Sequence, residues 1–342
     1  MDGERIVFVD YAKAIGIFLV VFAHCVYEYS DGMAVLCHFI YSFHMPLFFV
    51  ISGFLLSLKT SGQKNLLKMG KRLLIPYFFW SLVYIALLFI LPEYNLNVKE
   101  RLCAVVTGRG SAPLWFLWDL FFSEVVFVFL FSFLQTNKKR KIVFVLLVLA
   151  VVTYGCDAVF SAYHHSIEES RIFLYVFTSI TRLVPSVFFM LVGTLFVYVN
   201  KACFNKKVTF VLGCLFIALF AIIQIYTDNR VNMHLIRYGN PLVFLMTGSL
   251  ASIGILLFCK MLPPSLNFVS FIGKKSLDIM ILHYPPVPFM GVIALVAGIV
   301  LPEKNIYFIL LISVVLVAVT SFVGVALDQV RKAIHSYKNY SN

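Results

Sequence analysis

Apolar residues run along this chain in blocks of about twenty, the length an α-helix needs to cross the hydrocarbon core of a bilayer. Ten such blocks predict helical spans over 6–29, 33–58, 72–91, 112–134, 141–160, 172–199, 207–226, 240–259, 275–300 and 305–327. Polar residues gather in the connections, and no polar stretch is long enough to fold as a soluble domain. The pattern predicts an all-α integral membrane protein, with 1–342 forming a single transmembrane domain of about ten helices. The ninth block is interrupted by Pro285, Pro286 and Pro288, which remove backbone donors and predict a kink or break. No small-residue cleavage site follows the first block, so that segment is expected to be a permanent span.

Charge orients the spans. Arg5 and the clusters Lys59–Arg72, Lys138–Lys141, Lys201–Lys207, Lys260–Lys275 and Arg331–Lys338 fall on alternate connections and the two termini. The other connections hold only Lys99, Arg101, Arg109, Arg171, Arg230, Arg237 and Lys304, together with most of the acidic residues. By the positive-inside rule both termini are expected in the cytoplasm. Adding or losing one span would scramble this alternation.

Composition narrows the picture further. Of 342 residues 61% are hydrophobic and 13% charged, against about a quarter charged in a soluble domain. The net charge of +12 sits in short clusters between apolar runs, which sets topology and makes no stripe for nucleic acid. The seven cysteines show no CxxC pair and no metal-ligand spacing, so neither metal nor disulfide is implied.

Ionisable side chains inside spans are expensive, and each one marks a candidate site. The first span carries Asp10, Lys13 and His24. Asp10 and Lys13 are i,i+3 neighbours that can pair, either for packing or for function. Lys13 and His24 are eleven residues apart, about three turns, and share a face separated by roughly 16 Å of rise. The second span carries His44, Pro46 and a Ser52–Gly53 step. The step suits close helix packing. His44 is either a polar contact in a cavity or the partner of a carbonyl freed by Pro46. Arg182 lies eleven residues into the sixth span and needs a carboxylate, a ligand phosphate or a water-filled cavity. Asp119, Glu124 and Asp278 are the partners on offer. His283 sits just ahead of the proline break, where unwound backbone can line a cavity. Trp115 and Trp118 open the fourth span and read as aromatic-belt anchors. His164, His165, His234 and His335 fall in connections or the tail and read as surface residues.

RIVFVDYAKAIGIFLVVFAH in the first span and FHMPLFFVISGFLL in the second resemble the membrane-bound acyltransferase family 3, O-acyltransferases of cell-surface glycans. Further echoes follow in order: KRLLIPYFFW, PLWFLWDLFF, TRLVPSVFFMLVG and GKKSLDIMILHYP. The related membrane-bound O-acyltransferases with an Asn/His site fit less well, because here the His-bearing motif lies in the first span. The family signature is a basic residue, ten intervening residues and then His, which Lys13 and His24 match. The family commonly has Arg there, and Lys keeps the charge but lacks the planar fork.

The resemblance implies that His24 is the general base and that Lys13 positions it or the acyl donor. It also implies that Arg72 lies near a cytoplasmic entrance for acetyl-CoA, the expected donor substrate. Asp10, His44, Ser52, Trp115 and His283 complete the candidate substrate contacts, and Arg182 is a candidate oxyanion donor. An imidazole suits acyl transfer from a thioester to a sugar hydroxyl because its pKa lies near neutrality. The expected setting is a bacterial plasma membrane. The acceptor, a glycan or other envelope hydroxyl, would be recognised by the loops 92–111, 157–171 and 227–239. A transporter or flippase for a lipid-linked sugar is the competing class, since buried charges and a broken span also suit transport.

Overall fold

A computed structural model describes residues 5–29, 34–59, 65–90, 97–110, 112–134, 138–163, 170–202, 205–284 and 306–340. Among these described residues fourteen α-helices run in order: α1 (Val7–Tyr29), α2 (Ala34–Tyr41), α3 (His44–Leu58), α4 (Leu66–Ile90), α5 (Val98–Val106), α6 (Trp115–Phe133), α7 (Lys138–Ala162), α8 (Arg171–Thr181), α9 (Leu183–Ala202), α10 (Lys206–Thr227), α11 (Pro241–Met261), α12 (Asn267–Lys274), α13 (Ser276–Leu282) and α14 (Ile306–Tyr340). Among the described residues, nine segments are long and apolar enough to cross a membrane. They overlap the first eight and the tenth predicted spans. The ninth predicted span, 275–300, begins just after α12 and is described only through α13 and to residue 284; its three prolines lie outside the described residues. The protein is an all-α integral membrane protein.

Two predicted spans are broken, and the same chemistry accounts for both. Pro46 has no N–H for the Ser42 carbonyl, and the helix that would run through 33–58 divides at Ser42–Phe43. Pro185 likewise leaves the Thr181 carbonyl without its donor, and the predicted span 172–199 divides at Arg182. Beside each break a hydroxyl bonds a neighbouring carbonyl: Ser42 Oγ donates to the Phe39 carbonyl at 2.7 Å and Ser186 Oγ to the Arg182 carbonyl at 2.8 Å. Pro76 sits inside α4 without ending it.

The helices group into two compact units, 1–34 with 264–342 and 35–263. In the first, α1 packs on α12, α13 and α14. Gly273 lets α12 lie directly on the backbone of Asp10, where a Cβ would overlap the Asp10 carbonyl. In the second unit α3 and α9 make the closest approach. A Cβ on Gly53 would strike the Met190 carbonyl, and one on Gly193 the Val50 carbonyl. The Ser52–Gly53 step thus serves close packing, as small residues do where backbones meet. Phe49, Phe54, Phe189 and Phe196 fill the space beside this contact. On α7, Phe144, Leu147 and Val151 are exposed, an apolar face suited to lipid.

Candidate active site

His24 stands in the last two turns of α1, and His283 caps the C-terminal end of α13. Their rings lie within 4° of parallel with centroids 5.0 Å apart, and His24 Nδ1 is 2.8 Å from His283 Nε2. This is a nitrogen-to-nitrogen contact between nearly parallel imidazoles, both held in the same compact unit. His283 is fully buried, and its Nδ1 lies 3.0 Å from the Ile279 carbonyl. A carbonyl only accepts, so His283 Nδ1 carries hydrogen and its Nε2 is the acceptor. His24 Nδ1 must then donate, and neutral His24 carries its lone pair on Nε2. The edge of Tyr284 meets the His24 ring at 5.0 Å and 74°.

The other candidates on α1 are arranged differently from the simplest reading of the spacing. Asp10 is buried and accepts from Arg5 Nε at 2.6 Å, Arg5 Nη2 at 3.2 Å and Ser270 Oγ at 3.2 Å. The Asp10 carboxylate therefore pairs with Arg5 and not with Lys13. Lys13 is half-buried.

In the second unit, Arg72 is half-exposed and reaches both oxygens of the buried Glu124, at 2.6 and 2.8 Å through Nη2. Ser52 donates to the same carboxylate at 2.6 Å. Glu124, weighed as a partner for Arg182, belongs to Arg72 instead. His44 Nδ1 donates to the Ile40 carbonyl at 2.8 Å. It thus bonds a carbonyl near the break, although not the Ser42 carbonyl that Pro46 frees.

Arg182 is fully buried at the break between α8 and α9. Its Nη2 donates to the Gly108 carbonyl at 2.9 Å and its Nη1 to the His234 carbonyl at 3.3 Å. The guanidinium lies 4.8 Å over the Trp115 ring. Among the described residues it forms no ion pair; Asp119, the nearest candidate, accepts from Ser186 Oγ at 3.1 Å. Arg182 thus clamps the connections before α6 and α11. Trp115 is only 7% exposed and stacks on His234 at 5.5 Å and 15°. Neither residue has its expected surface role, because the two connections fold over them. Trp118 packs against Gly108, whose φ of +77° only glycine adopts readily and whose hydrogen the indole contacts.

Burial first, and then Arg182 and Arg109, hold the His234 imidazole well below its ordinary pKa of 6.5, so it is neutral at physiological pH. Burial also lowers the Arg109 guanidinium. Spacing along the chain offered no signal for Arg109 or His234, and none for the Arg72 partner of Glu124, because each pairing joins segments remote in sequence. Among the described residues no cluster of His, Cys, Asp and Glu has metal-binding spacing.

Residues 6–325 match the profile of a family described as an acyltransferase domain. The chain belongs to the acyltransferase-3 family. Two relatives are nodulation proteins named NolL. That of Mesorhizobium japonicum is 30% identical over 136 residues, covering 36% of this chain and 35% of the relative. That of Sinorhizobium fredii is 40% identical over 87 residues, covering 23% and 24%. The acyltransferase-3 chain therefore matches about a third or less of the length of these relatives. No solved structure matches it.

Proposed function

We propose that this acyltransferase-3 protein is an O-acyltransferase that moves an acyl group, acetyl in the simplest case, from cytoplasmic acyl-CoA to a hydroxyl of an extracytoplasmic glycan. The observation that carries this reading is the His24–His283 pair. Proton transfer by a positioned base needs a lone pair of defined direction and near-neutral basicity. His283 supplies the direction: accepting through Nε2, it fixes His24 as the Nδ1–H tautomer with Nε2 as base.

In the reaction, the acceptor oxygen attacks the thioester carbonyl while His24 Nε2 takes the hydroxyl proton. The tetrahedral oxyanion then collapses with rupture of the carbon–sulfur bond, and the imidazolium returns its proton to the departing thiolate. The positive His24 formed in between is stabilised through Nδ1–H by the neutral His283. Lys13, on the same face of α1, contributes positive charge toward the donor phosphates. Arg72, oriented by Glu124 and Ser52, does the same from α4. Arg182 serves this reading as the clamp of the connections that bear the acceptor site, since two of its bonds go to backbone carbonyls. The bilayer separates donor from acceptor, and the acyl group rather than the sugar crosses it. The cell envelope of a bacterium, the source of both relatives, is the setting proposed.

The test is purified protein in nanodiscs with labelled acetyl-CoA and a candidate glycan. Label should pass to the glycan, and His24→Ala should abolish transfer while the melting curve is unchanged. Sugar translocation without donor consumption would overturn the reading in favour of a transporter.

A further inference from the structure

The connections before α6 and α11 place Arg109 and His234 beside Arg182, which stands at the break between α8 and α9. Arg182 Nη1 bonds the His234 carbonyl, and His234 Nε2 donates to the Arg109 carbonyl at 3.3 Å. The His234 ring lies on Trp115, which Arg182 covers at 4.8 Å. Two like charges drawn together in a partly dehydrated place repel, so a stable arrangement calls for a counter-charge.

Buried Asp119 is a counter-charge to Arg182 beyond ion-pair distance, which leaves Arg109, among the described residues, as the cation without a carboxylate. Neither Arg109 nor Arg182 takes part in an ion pair among the described residues. Of the five N–H donors of Arg109, one makes a long bond, 3.4 Å to Thr178 Oγ1. Its guanidinium lies 5.7 Å over the Tyr175 ring. Arg182 Nε is buried and without a partner, as is Asp119 Oδ1. Glu100 is engaged by Arg171 and by the Tyr175 hydroxyl at 2.8 Å. Asp228 is likewise engaged by His38 and Arg230. Arg109, with one long hydrogen bond and no carboxylate, is therefore the cation whose donors remain available to a ligand.

We propose that the cluster of Arg109, Arg182, His234 and Trp115 binds, through Arg109, the anionic group, carboxylate or phosphate, of a carbohydrate acceptor. Half-exposed Arg109 makes the contact, buried Arg182 supports it with charge from behind, and neutral His234 offers a polar edge without adding a third cation. The aromatic faces of Trp115 and Tyr175 beside the two cations suit a sugar ring that carries the anion. This rests on the proposed acyl transfer for the role of the ligand, but the binding event can be read by itself.

The experiment is a titration of intrinsic tryptophan fluorescence on the full chain in neutral-lipid nanodiscs, using glucuronate, glucose 6-phosphate and glucose as probes. At least one anionic sugar should give a saturable change that glucose does not, and Arg109→Gln should weaken it by roughly tenfold or more. His24→Ala should leave it intact, so that loss of transfer and loss of anion binding are separable. Equal responses to glucose and the charged sugars would overturn the site, as would an unaltered response in Arg109→Gln. A response that appears only with phosphatidylglycerol in the disc would assign the cluster to a lipid headgroup and also overturn the proposal. If the titration succeeds while no acyl transfer is found with any acceptor, the anion site stands and the transferase reading falls.

Discussion

His24 Nδ1 and His283 Nε2 meet at 2.8 Å across 259 residues of sequence. Because His283 Nδ1 is committed to the Ile279 carbonyl, the contact fixes which His24 nitrogen is basic. His283→Ala should therefore lower kcat by about 10²-fold, within the range a positioned base contributes, with little change in KM for the donor. His283→Gln, whose amide oxygen can accept from Nδ1–H, should recover part of the rate. Steady-state kinetics with varied acetyl-CoA decide the matter. Equal activity of the Ala and Gln variants would show that tautomer control is not the role of His283.

Arg72 and Glu124 separate a structural effect from a donor effect. Removing the guanidinium in Arg72→Gln leaves a buried carboxylate with Ser52 as its other partner, which should cost about 1–3 kcal/mol, reduced by the exposure of Arg72. Adding Glu124→Gln removes the stranded charge and should restore the melting temperature. Donor KM should remain raised in the double variant, measured by acetyl-CoA titration. Full recovery of both would make Arg72 a packing residue only.

The contact between α3 and α9 is made by backbone. Gly53→Ala and Gly193→Ala each place a methyl against a carbonyl of the facing helix, and each should destabilise by about 1–3 kcal/mol. Gly155 has nothing within 4 Å of its would-be Cβ, so Gly155→Ala is the neutral control. Thermal melts in detergent compare the three directly.

His234 makes the clamp sensitive to acid. Its folded-state pKa lies well below the ordinary 6.5, so below that value the unfolded chain takes up a proton that the folded chain resists. Its contribution is therefore complete above the unfolded value and declines as pH falls through the window beneath it. Melts between about pH 8 and about pH 5 should show a loss of stability that His234→Gln makes shallower. An identical slope in the variant would mean that other groups carry the acid response.

Topology can be checked on one helix. Lys207 and Arg230 bracket α10 and are both exposed. In a cysteine-depleted background, Arg230→Cys should react with an impermeant maleimide on intact cells, and Lys207→Cys only after permeabilisation. The reverse pattern would invert the proposed donor and acceptor sides.

The periodic apolar blocks determined by themselves that this chain is a bundle of membrane helices. Lipid offers the backbone no hydrogen bonds, so each span must satisfy its own and carries its own length signal. The stripe from Lys13 to His24 was legible for the same reason, since both lie on one helix of known pitch. The prolines at 46 and 185 were also visible, but their effect was decided by the tertiary structure. Pro76 left α4 whole while the other two divided their helices.

Pairings were decided by the tertiary structure alone. Asp10 faces Arg5 rather than its i+3 neighbour, Glu124 holds Arg72 rather than Arg182, and Arg182 takes the carbonyls of Gly108 and His234. A buried charge goes to whichever partner packing brings within about 3 Å, and that depends on helix contacts between segments far apart in the chain. Composition therefore determined that buried charges exist, and packing decided what each one holds.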